Sequence, residues 1–223
     1  IAILLDLSAS ETKKLSAMAQ IQKASMYAAN SDLFHNKLTD LFASGCRMNF
    51  LIGEIINNKS SVLIAHIGDI MVLMKEAAMG SVYLSHLKTL AGLHPAAVYP
   101  HIGALYDSSR GMKGGVAIDV AVLDILACMN GLKDPVNATD GLFDLTIVIM
   151  KANEKNEAVL KRGLEQVSNM KEELSDKSVL EKQMEFLKSC RNSNAALYTA
   201  IEDYLAGRSL ENVTSRLDQH EAW

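Results

Sequence analysis

Chemistry would begin with the titratable side chains. His86, His94 and His101 are spaced eight and seven apart, and on one continuous helix an i, i+7 pair would share a face. Pro95 and Pro100 interrupt that helix. A metal would also need a third ligand, which only tertiary folding could bring from Cys128 or Asp107, so ordinary capping and packing histidines are the favoured reading and no metal is expected. A helical enzyme with its site near His94, His101 and Asp107 stays open as an alternative. Asp119 and Asp124 stand five apart, on different parts of a helix surface, which fits two separate carboxylates better than an acid/base pair. No HExxH, GxSxG, Walker loop, GxGxxG or paired CxxC is present, so neither a catalytic residue nor a cofactor is expected.

The polar segment with the most chemical content is Ser108-Ser109-Arg110-Gly111-Met112-Lys113-Gly114-Gly115. Gly111, Gly114 and Gly115 free the backbone for close approach. Arg110 and Lys113 add positive charge, and a helix starting near Val116 would aim free N–H groups outward. Those are the ingredients of an anion site for phosphate, nucleic acid or lipid headgroups. The competing reading is a surface loop whose glycines satisfy turn geometry. Lys13-Lys14 and Lys161-Arg162 are the densest basic pairs elsewhere, and Lys13 and Lys14 join the loop as expected anion contacts.

The elements that must position these residues are helical nearly throughout, so the expected class is all-α. Ser8-Ala9-Ser10-Glu11 has the capping-box pattern, ahead of Leu15, Met18, Ile21, Ala24 and Ala28 in steps of three and four. Asn30 or Ser31 can cap a second helix, closed by Gly45. The run from Val62 to Ala77 predicts one long helix ended by Gly80, and Pro95 suits the first turn of a short helix that Pro100 should break. Val116 to Met129 is apolar almost all round and predicts a central buried helix. Leu145 to Met150 is rich in β-branched residues, yet an isolated strand has no partner, so it reads as helix. Beyond it, Lys155–Met170, a helix capped by Ser178 with Glu181, Ala195–Ala206 ended by Gly207, and a last helix capped by Ser209 make a small amphipathic bundle. The methionines Met48, Met71, Met74, Met79 and Met129 read as core, not as a binding groove.

Charge divides the chain. Residues 1–150 hold 11 basic and 13 acidic side chains, and residues 151–223 hold the same numbers in half the length. A compact apolar domain over 1–150 and a charged helical C-terminal domain over 151–223 follow, with the boundary at 150–155. A 49% hydrophobic and 22% charged composition excludes disordered, collagenous and disulfide-scaffold classes. Three scattered cysteines argue for reduced thiols and an intracellular setting. The net charge of -4 argues against a broad double-stranded DNA surface. With no signal peptide visible, the three glycosylation triplets, such as Asn137-Ala138-Thr139, carry no weight; the chain opens at Ile1, not Met, so further residues at an end are expected.

The stretch Val116-Ala117-Ile118-Asp119-Val120-Ala121-Val122-Leu123-Asp124-Ile125-Leu126-Ala127-Cys128, led in by Gly103-Ala104-Leu105-Tyr106-Asp107, resembles the central helix of influenza-type (orthomyxovirus) matrix proteins. The shared features are a tyrosine ending one helix, a short loop, then an acidic residue followed by valine in an apolar helix that ends near a cysteine. The layout, an apolar helical domain followed by a smaller charged one, is similar too. The resemblance implies a non-enzymatic, self-assembling shell component in the virion or at the inner face of a membrane. Its implied partners are copies of itself, anionic lipid and ribonucleoprotein. A nucleocapsid-like module binding single-stranded RNA is the alternative, although 5% aromatic residues leave little for base stacking.

Overall fold

The computed structural model describes residues 1–23, 26–44, 46, 48–76, 80–133 and 137–207. All regular structure among them is helical, as the periodicity requires. The chain forms two compact units, Ile1–Lys113 and Gly114–Trp223. The division falls at the glycines, not at 150–155, where charge density rises. The physical reason is packing: the helices on either side of 150–155 bury their apolar faces against each other inside the second unit.

The first unit runs α1 (Ala2–Leu5), α2 (Glu11–Lys23), α3 (Met26–Ala29), α4 (Ser31–Asn36), α5 (Leu38–Ala43), α6 (Asn49–Lys59), a 3-10 turn (Ser60–His66), α7 (Ile67–Glu76), α8 (Gly80–Leu93), α9 (Pro95–Val98), a 3-10 turn (Tyr99–His101) and α10 (Ile102–Ser109). Its core is built on α6, whose Leu51, Ile52 and Ile55 are wholly buried, with Ile70 and Met74 of α7 and Leu84, Leu87 and Leu90 of α8 around them. Met48, Met71 and Met74 are buried as the core reading expects, and Met79 lies outside the described residues. Pro95 sits at the start of α9, and Pro100 falls in the 3-10 turn that ends it.

Three local expectations change. Helix α2 starts at Glu11 with the Ser10 hydroxyl accepting from Lys13 N at 3.4 Å, while Ser8 is spent on Asp6, so Ser10 and not Ser8 caps it. Ser60–His66 winds as a 3-10 turn ahead of α7. Gly80 opens α8 instead of ending α7, because a Cβ there would lie 2.6 Å from the Met74 carbonyl oxygen. Gly45 and the Ser209 helix lie outside the described residues.

The second unit is α11 (Val116–Ala127), α12 (Ala138–Ala152), α13 (Glu157–Met170), α14 (Ser178–Ser189), a 3-10 turn (Arg191–Ser193) and α15 (Ala195–Leu205). Val122, Leu123, Ile125 and Leu126 make α11 the buried centre, with α12 and α13 packed on it. The β-branched run is helix: Thr146 is fully buried, and its hydroxyl donates to Leu142 O at 2.8 Å. Gly163 lets α13 approach α12, since a Cβ there would overlap the Met150 side chain. Asn156 Oδ1 caps α13 by accepting from Val159 N at 3.3 Å, and Asn194 Oδ1 caps α15 by accepting from Leu197 N at 3.2 Å. Ser178 does not cap α14: Lys177 stands at the N-cap without a side-chain bond, and Ser178 N donates to Asp176 Oδ1 at 2.8 Å in the turn before the helix. Gly207, at φ 67°, closes α15 as expected.

Candidate functional site

The glycine-rich loop joins α10 to α11, with Arg110 and Lys113 in the first unit and Gly114 and Gly115 in the second. Ser108 and Ser109 are buried, and their hydroxyls are satisfied by Ala104 O at 2.6 Å and Tyr106 O at 2.7 Å, so neither is offered to a ligand. The next turn stays folded, with Met112 N donating to Ser109 O at 3.0 Å. The Met112 methyl lies over Gly80, which anchors this part of the loop on α8. Arg110, Gly111 and Lys113 are exposed; the Arg110 guanidinium stands 5.9 Å from the centre of the Tyr106 ring and leaves its N–H groups to solvent. Gly114 and Gly115 have φ of 142° and 48°, a sharp reversal that side-chain-bearing residues resist. The first amides of α11 turn inward on the loop, Ala117 N to Gly114 O at 3.2 Å and Ile118 N to Gly115 O at 2.9 Å.

The lysine pair splits. Lys13 is exposed, but Lys14 is buried and its ammonium donates to Ser44 O at 2.8 Å. That carbonyl ends α5, so Lys14 closes a helix C-terminus, where a cation is favoured, and is withdrawn from anion contact. The exposed cations of the expected set are therefore Lys13, Arg110 and Lys113.

The histidines serve structure in the first unit. His94 Nε2 lies 2.7 Å from Ser60 Oγ, His86 Nε2 donates to Asn49 O at 3.0 Å, and beside it Tyr83 Oη accepts from Met48 N at 3.1 Å, so α8 holds the start of α6. Burial pushes the His86 pKa below its ordinary value. Asp107 is exposed, and no hydrogen bond joins His94, His101 and Asp107 among the described residues. His35 Nε2 meets Tyr27 Oη at 2.7 Å while its Nδ1 is buried with no partner, and desolvation again pushes its pKa down, with Lys59 adding to the effect. Among the described residues no group of three His, Cys, Asp or Glu side chains could hold a metal ion.

In the second unit α11 carries both Asp119 and Asp124. Asp124 accepts from Arg162 Nε at 2.7 Å, and Arg162 also reaches Glu165 at 3.0 Å, tying α11 to α13. The half-buried Cys128 thiol donates to Asp124 O at 3.3 Å. One cluster has no counterpart in the sequence reading: the ammonium groups of Lys171 and Lys177 lie 5.3 and 4.6 Å from the centre of the same Tyr204 ring. These residues are distant in the chain, so no local pattern brings them together.

No family model, curated protein or solved structure matches this chain. No helix among the described residues is long and apolar enough to cross a membrane.

Proposed function

We propose that this chain is a non-enzymatic structural protein that self-assembles, a matrix-like shell component of a virion meeting anionic membrane and ribonucleoprotein. The observation that carries the reading is the exposed pair Arg110 and Lys113, held on the folded turn after α10, with no acidic side chain bonded to either among the described residues. Such cations reach phosphate oxygens without first breaking an ion pair. Exposed Ile3, Leu7, Leu33, Val72 and Val148 add apolar surface of the kind that contacts between copies bury.

Flotation of the purified chain with vesicles tests the membrane part. Co-flotation with phosphatidylserine vesicles, absent with neutral ones and reduced severalfold in an Arg110→Ser, Lys113→Ser variant, is the expected outcome. Equal flotation of the variant and the parent chain would remove the loop from the reading.

A further inference from the structure

We propose that Lys171, Lys177 and Tyr204 form a binding site for a phosphate-class dianion, separate from the Arg110 loop. Three helix ends of the second unit supply it: Lys171 directly follows α13, Lys177 directly precedes α14, and Tyr204 lies in the last turn of α15. Lys171 is only 5% exposed, and among the described residues no group accepts a hydrogen bond from its ammonium. An ammonium carries three donors, which leaves it able to take a further acceptor. Among the described residues it lies beside the Tyr204 ring, as does the second ammonium. Two like charges drawn to one ring repel each other, and both are relieved by an anion seated between their donors.

The carboxylates nearby are otherwise placed. Asp176 accepts from both the amide and the hydroxyl of Ser178, at 2.8 and 2.7 Å. Glu202 takes the Tyr198 hydroxyl at 2.8 Å, and Asp203 has a partner of its own. Glu172 is exposed; its charge partly offsets the desolvation that pushes the Lys171 pKa down. Two ammonium groups match a dianion in charge. A tetrahedral phosphate dianion offers more acceptor oxygens than a carboxylate and carries the second charge that a carboxylate lacks. The phosphate could belong to a soluble monoester or to a lipid headgroup, and the chemistry at the lysines is the same.

The test is equilibrium dialysis of the full chain against radiolabelled orthophosphate at constant ionic strength, with thermal unfolding followed in parallel in phosphate and in chloride. Saturable binding of one phosphate per chain is expected, with affinity lowered about tenfold or more in Lys171→Met and in Lys177→Met and unchanged in Arg110→Ser. Lys171→Met should also melt higher than the parent chain in chloride, because it replaces a partly desolvated charge by an apolar side chain, and should lose the stabilisation by phosphate. No saturable binding, or equal binding by both lysine variants, would overturn the site. Vesicles of phosphatidylcholine with and without a phosphoinositide then separate the sources. Flotation lost in Lys177→Met assigns a lipid headgroup, and dialysis binding without flotation assigns a soluble phosphate.

Discussion

His35 and His86 give the first unit a pH dependence of definite sign. Burial depresses both folded-state values below the ordinary 6.5, so the unfolded chain takes up the protons first as pH falls. Their contribution to stability is present above about pH 6.5 and is lost progressively below it. Thermal unfolding compared at about pH 7.5 and 5.5 should show a lower midpoint in acid, and the drop should shrink in a His35→Gln, His86→Gln variant. An unchanged drop would place the acid sensitivity elsewhere. Gly163→Ala should cost about 1–3 kcal/mol in denaturant unfolding, because its methyl enters the space of the Met150 side chain. At this scale the sequence was half legible. Lys13 and Lys14 are indistinguishable as neighbours in a charged string; only the packing of α2 near Ser44 makes one a buried cap and leaves the other in solvent. Lys171, Lys177 and Tyr204 could not be found by pattern, since three helix ends must fold together before they share a ring.

Among the elements, periodicity did most of the work. Helix α11, the two Pro-bounded short turns and the β-branched α12 follow from apolar spacing and from the positions of Pro95 and Pro100. Ends were harder, because a cap depends on which oxygen faces the first amides. Ser8 and Ser178 both fit the capping motif, yet Ser10 caps α2 and Lys177 stands at the N-cap of α14, with Asp176 bonded to Ser178 N just outside it. Replacing Asp176 by Ala should therefore destabilise the chain more than Ser178→Ala, in denaturant titrations of the two variants. The positive φ at Gly115 makes a second check: Gly115→Ala should destabilise the chain by about 1–2 kcal/mol, whereas Gly103→Ala, within α10 and with open space around it, should be neutral or stabilising.

For the molecule as a whole, charge density and packing give different divisions. The step near residue 150 marks where helices become thin and solvated, but Met150 and Gly163 lie on opposite sides of it and pack together, so the second unit begins at Gly114. Composition reports exposure, and contacts report which faces meet. The self-assembly we propose would use exposed Ile3, Leu7, Leu33, Val72 and Val148 between copies and Lys13, Arg110 and Lys113 toward anionic partners. The most direct measurement is negative-stain electron microscopy of the purified chain at low and moderate salt, with and without vesicles containing anionic lipid. Ordered filaments, sheets or coated vesicles are expected, with coating dependent on the anionic lipid and weakened by salt. Uniform small particles under every condition would contradict a shell-forming role.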